Sequence, residues 1–199
     1  MLIRHQTISH RTIELTSDQT TGIGPGAVLR HCLIKCRVTA RELVLTDVEM
    51  HHCTFVAKKQ LSGYKFLRAR FYDCAFEGTY SGCDFGKRSE VYNGLGDIAR
   101  CDFSKTRLDA CRFFNCEVDT INFQNARPKL ILLQSEANTQ ITLVPLTPGL
   151  RAYLVSLRSL PPECSALIDD VELLGKRLRV NQEELVKLAK LVGAKSQSF

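Results

Sequence analysis

The chain has 199 residues, 44% of them hydrophobic, and its 27 basic and 21 acidic side chains leave a formal charge of +6. That length allows one medium domain with a small appendage, and no apolar run approaches the ~18 residues that would span a membrane. The basic excess is spread evenly, 17 against 14 up to position 126 and 10 against 7 beyond it, too little to imply nucleic acid by charge alone.

Residues 1–25 read as an extended N-terminal cap, in which Ile3, Ile8, Ile13 and Leu15 are separated by polar residues. No apolar signal-like stretch opens the chain. The run from Thr20 to Gly26, with Gly22, Gly24, Pro25 and Gly26, reads as a turn-rich joint.

From residue 26 a different period takes over. Val28, Leu33, Val38, Leu43 and Val48 are spaced by five, as are Leu61, Phe66, Phe71 and Phe76, and again Phe103, Leu108, Phe113, Val118 and Phe123. Tyr80 and Phe85 continue the second series after a deletion, and Ile98 rejoins the last after an insertion. A period of five matches neither a helix at 3.6 nor a strand at 2. It matches a chain that turns a corner every five residues and buries one side chain on each face. Seven cysteines (Cys36, Cys53, Cys74, Cys83, Cys101, Cys111, Cys116) stand two residues before a large apolar residue, which makes them small core fillers and free thiols. Free thiols and the absence of a leader predict a reducing, cytoplasmic location.

The segments Cys101-Asp102-Phe103-Ser104-Lys105, Cys83-Asp84-Phe85 and Cys74-Ala75-Phe76 resemble the pentapeptide-repeat motif, in which a central Leu or Phe follows a small residue by two positions. The resemblance covers about residues 26–125 and implies a mainly β fold: a right-handed quadrilateral β-helix with about twenty residues per coil. The expected domains are the cap at 1–25, the β-helix at 26–126 with an insertion at 86–97, and a C-terminal region at 127–199. The core ladder is expected at Phe66, Phe71, Phe76, Phe85, Phe103, Leu108, Phe113, Val118 and Phe123, with Cys74, Cys83, Cys101, Cys111 and Cys116 beside it.

The insertion carries Lys87, Arg88, Glu90 and Tyr92 and projects from one face, which makes it the predicted contact site. After Phe123 the pattern alternates at Leu130 and Leu132 and again at Ile141 and Leu143, predicting a short extended pair. Three amphipathic helices are then predicted: one through Leu150, Tyr153, Leu154 and Leu157, stopped by Pro161-Pro162; one through Leu167, Val171, Leu174 and Leu178; and one opened by Asn181 and Glu184 and closed at Gly193. They are expected to cap the last coil or to form a homodimer face.

No Ser/His/Asp grouping, phosphate loop or paired zinc motif stands out. His51 and His52 are neighbours on a strand, point to opposite sides and read as a solvated corner. Cys32 and Cys164 lie off the ladder. The reading is therefore of a chain without metal, cofactor or enzymatic site. Many proteins of the family it resembles act by occupying another protein's surface. The resemblance implies a bacterial immunity or self-protection factor that binds and blocks a toxin or shields a target enzyme. Two alternatives are weighed. Mimicry of DNA toward a type II topoisomerase needs acidic faces, which this charge balance does not supply. Nucleic-acid binding through Lys176, Arg177, Arg179, Lys187 and Lys190 meets Glu183-Glu184 where a phosphate would sit.

Overall fold

One buried side chain per five residues bends the chain through four faces per coil, and successive coils then stack as parallel strands about 4.8 Å apart. The computed structural model describes residues 2–18, 21–88, 92–124, 129–133, 146–191 and 195–197. The first coil holds β1 (Leu2–Ile3), β2 (Thr7–Ser9) and β3 (Thr12–Leu15); the second holds β4 (Gly22–Ile23), β5 (Ala27–Arg30) and β6 (Leu33–Cys36). The third holds β7 (Val44–Leu45), β8 (Val48–His51), β9 (Thr54–Ala57) and β10 (Leu61–Ser62). Then follow β11 (Ala69–Tyr72), β12 (Ala75–Ser81), β13 (Asp84–Gly86), β14 (Asp97–Ala99), β15 (Asp102–Asp109) and β16 (Cys111–Phe114). The result is a β-solenoid of about four turns.

Register shows how the ladders fill the axis. Ile8, Leu29, Met50, Phe71 and Ile98 stack on one face, and Ile13, Ile34, Phe55 and Phe76 on the next. Both series step by 21 residues until the insertion lengthens the coil. The core is aliphatic in the first coils and aromatic in the later ones. Phe76 and Phe103 stack at 4.4 Å, Phe66 and Phe85 at 4.6 Å, and Phe85 and Phe113 at 5.0 Å. These two columns meet edge to face, as in Phe103 against Phe113 at 5.4 Å, a favoured aromatic geometry.

The N-terminal half departs from the sequence reading in four places. Residues 2–15 form a coil rather than a cap, and Gly22–Ile23 is a strand rather than a turn. Gly22 is required by proximity: a Cβ there would run into the Val44 carbonyl of the coil above. Val28 and Leu33 are only half-buried, while Ala27, Leu29, Cys32 and Ile34 fill the interior. The run Ala27-Val28-Leu29 is apolar in both parities, so alternation alone could not choose the inward one. Cys32 accordingly belongs to the ladder. At the other end the ladder relaxes: Cys116 and Val118 are half-buried, and Val118–Thr120 is a 3₁₀ turn.

The C-terminal region contains β17 (Lys129–Leu133), α1 (Pro148–Arg158), β18 (Cys164–Asp170), α2 (Val171–Leu178), α3 (Gln182–Leu191) and β19 (Lys195–Gln197). Leu167 lies in a strand, not in the predicted helix. Strand β18 pairs antiparallel with β16, and β17 and β19 extend that sheet. A strand therefore covers the last coil's edge on this face. Ile131, Ala166 and Ile168 roof the solenoid core, while Leu130, Leu132 and Leu167 face Leu154, Leu174 and Leu188 of the helices. Burial on both sides removes the alternation that marks a strand. The Asn181 capping box forms as expected, with Glu184 N–H on Asn181 Oδ1 at 2.9 Å. Ile141, Leu143 and Gly193 lie outside the described residues.

Candidate protein-docking surfaces

The insertion is anchored at its root. Lys87 N–H donates to the Phe114 carbonyl at 2.9 Å, and Asn115 Nδ2 donates to the Lys87 carbonyl at 2.9 Å. The Lys87 side chain is exposed. Arg88 lies over the Phe114 ring at 5.0 Å with Glu163 at 3.9 Å, a packing role that joins the insertion to the cap. Glu90 lies outside the described residues, and Tyr92 begins a short 3₁₀ turn through Gly94. The predicted contact residues therefore divide: Lys87 faces solvent and Arg88 is engaged internally.

A second surface feature runs along one edge of the solenoid. His10, His31, His52, Asp73 and Arg100 occupy the same corner in successive coils, each with a left-handed backbone. The three imidazoles are exposed and stack face to face at 4.9 and 5.0 Å. Asp73 and Arg100 continue the column through a bidentate ion pair at 2.8 and 2.9 Å, which holds the Asp73 carboxyl below its ordinary range. Sequence reasoning missed this column because His10, His31 and His52 are separated by 21 residues, a signal visible only once the coil length is known. Among the described residues no group of three or more His, Cys, Asp or Glu side chains is placed to hold a metal ion. On the adjoining face Tyr72 donates to Asp97 at 2.9 Å; burial, with that carboxylate beside it, pushes the phenol up to about 12.

The cap is fastened to the solenoid by charge. Arg107 of β15 grips Asp170 at 2.8 and 3.2 Å and reaches Glu172 at 3.4 Å. Arg177 of α2 bridges Asp109 and Asp169, and Tyr153 of α1 donates to Asp169 at 2.6 Å. Burial pushes the Asp169 carboxyl up and, with Asp169 beside it, the Tyr153 phenol well up. These perturbed groups join elements and are satisfied by one another. A cleft of about 510 Å³ follows the same junction past Cys116 and Ser165, and one of about 440 Å³ lies between α2 and α3 beside Glu172 and Lys176.

All nine cysteines are free. Their thiols serve the corners: Cys74 Sγ donates toward the carbonyls of Met50 and Tyr72 at 3.3 Å each, and Cys111 Sγ toward those of Tyr80 and Asp109 at 3.4 and 3.5 Å. Burial pushes the Cys36 thiol up to about 11 and the half-buried Cys116 thiol to about 12. Comparison with known proteins gave no match to a family model, a curated protein or a solved structure. No helix among the described residues is long and apolar enough to cross a membrane.

Proposed function

We propose that the chain is a non-enzymatic protein-binding scaffold, an immunity or self-protection factor that blocks a toxin or shields an enzyme. The observation that carries this reading is the division of labour within each coil. Interior side chains are consumed in packing, and the outward rows are fixed in register from coil to coil. A surface fixed in this way loses little conformational freedom when a partner covers it. The groups with displaced acidities support the same reading, because Asp169, Tyr153 and Asp73 each hold structural partners. The resemblance of the repeats to the pentapeptide family, with its bacterial protectors, adds to it, and the free thiols suit a reducing cytoplasm.

The test is affinity purification of the tagged full chain from its native cell, followed by reconstitution with the purified candidate. A single partner that binds stoichiometrically, and whose activity is inhibited or protected by the chain, is the expected outcome. Retention of no specific protein overturns the reading.

A further inference from the structure

One edge of the solenoid gathers cationic groups in its first two coils without a carboxylate among them. His10 and His31 occupy the same corner one coil apart, with rings stacked at 4.9 Å; Arg11 follows the first and Arg30 precedes the second. His10 N–H donates to the Arg30 carbonyl at 3.0 Å, which sets the four residues side by side, and all four are exposed. In the strand row beside the column Ser9, Arg30 and His51 are in register, and on its other side Cys32 and Cys53 are buried. Among the described residues no ion pair joins Arg11 or Arg30 to a carboxylate. Glu14 is held by Lys35 and Arg37 at 3.3 and 3.1 Å, and Glu49 by His51 and by Arg70 at 3.4 Å.

Counter-charge begins one coil further on. His52 stacks on His31 at 5.0 Å, and Asp73, already held by Arg100, lies within electrostatic reach of His52 and His51. The first two coils therefore present two permanent charges and two rings that can each gain one. Imidazoles take up protons around pH 6.5 and glutamates only around pH 4.3. Between those values the edge gains charge while an acidic partner keeps its own. Two imidazolium rings stacked at 4.9 Å repel, and a carboxylate set against them relieves that repulsion. Proton uptake and anion binding then favour each other reciprocally.

We propose that this edge docks a short acidic segment of a partner protein, with its carboxylates on Arg11, Arg30, His10 and His31, and that docking tightens as the two imidazoles take up protons. Two arginines and two protonatable rings without a counter-charge select an anion. From His10 to His52 the run spans two coil spacings, about 10 Å, before Asp73 reverses the sign. That length matches about three residues of extended chain. It leaves little for a nucleic-acid backbone, whose affinity grows with the number of phosphates neutralised. The inference rests on the protein-binding reading and adds the place, the partner's chemistry and its pH dependence.

The test is fluorescence anisotropy at constant low ionic strength, with the full chain and a rhodamine-labelled peptide of alternating glutamate and glycine, at about pH 7.5 and about pH 5.5. Saturable binding, about tenfold tighter at the lower pH, is expected. His10→Asn combined with His31→Asn keeps residues that accept the left-handed corner, and should bind as the parent does at the higher pH but lose most of the gain at the lower. Arg30→Glu should weaken binding by about tenfold at both. Lys58→Glu, the same charge change at an exposed position elsewhere, should leave binding unchanged, and every variant should melt with the parent at the higher pH. No saturable binding, a pH gain that survives the double substitution, or an equal loss in Lys58→Glu overturns the proposal. So does tighter binding of a labelled single-stranded oligonucleotide that the same variants lose, which assigns the edge to phosphates. A native partner captured by the chain, and bound by the double variant with the parent's pH dependence, overturns this site and leaves the scaffold reading standing.

Discussion

Phe113 sits between the rings of Phe85 at 5.0 Å and Phe123 at 5.1 Å and is fully buried. Phe113→Ala removes a ring from a column whose neighbours are held by strand pairing and cannot close over the void. A loss of about 3–5 kcal/mol is expected in denaturant titration. Cys111 tests a finer point. From sequence alone a serine there buries a hydroxyl with no assured partner, so serine should be worse than alanine. The two carbonyls within 3.5 Å of its sulfur change that expectation: Cys111→Ser keeps a donor for them, and Cys111→Ala keeps none. Serine should therefore equal or exceed alanine in stability by up to about 1 kcal/mol, and a serine variant clearly below alanine would show that the carbonyls do not serve it. The small-then-large pair was legible because polar residues isolate it in the later coils. The donor role of the thiol was not, since it depends on which carbonyls the corner brings near.

Strand β18 links the cap to the coils, and its last two residues show how. Asp170 accepts the Leu173 N–H at 3.0 Å as the cap of α2 and receives Arg107 at the same carboxylate. Asp170→Ala removes a helix cap and an ion-pair partner and should cost about 1–3 kcal/mol, and Asp170→Asn, which keeps the cap, should recover part of it in urea titration. Asp169 makes a prediction in pH. Burial raises its pKa above the ordinary 3.8, so the folded chain holds this proton at pH values where the unfolded chain has released it. Over that window the native state binds more protons, and stability declines as pH rises through the folded value. Asp169→Asn cannot titrate and should flatten the decline, measured as the free energy of unfolding against pH from 4 upward. An unchanged slope would assign the pH dependence to other groups. Helix α1 and the Asn181 cap were readable from periodicity and box residues. Strand β18 was not, because Leu167 and Ile168 are both apolar and serve opposite layers, and Leu167, Val171, Leu174 and Leu178 then imitate a helical stripe.

The two ends of the molecule solve the edge problem differently. At the N-terminal end β1, β2 and β3 have no further strand beyond them among the described residues, and the coil there carries exposed Arg4, Arg11 and Glu14, charges that discourage pairing with another edge. At the other end the aromatic column ends beneath Ile131, Ala166 and Ile168, all buried and all supplied by the cap. Repeats showed that ends must be covered. They did not show which element covers them, because that depends on a long-range antiparallel pairing, β16 with β18, across the intervening segment. The roof also differs from the open end in chemistry, since it protects rings of Phe113 and Phe123, where the first coil presents aliphatic side chains, the partly buried Ile3 and Ile8 beside the buried Ile13 and Leu15. Removing residues 127–199 should therefore do more than lose a domain: it should uncover both the β16 edge and the aromatic axis. The truncated chain is expected to self-associate in sedimentation velocity, with the associated fraction rising with concentration. Substituting Ala166→Glu in the full chain, which sets a charge over the Phe113 ring, should move it partway toward the same behaviour. A truncated chain that stays monomeric and melts with the parent would mean that the last coil is closed from within, and that the cap is fastened to the solenoid for some purpose other than its stability.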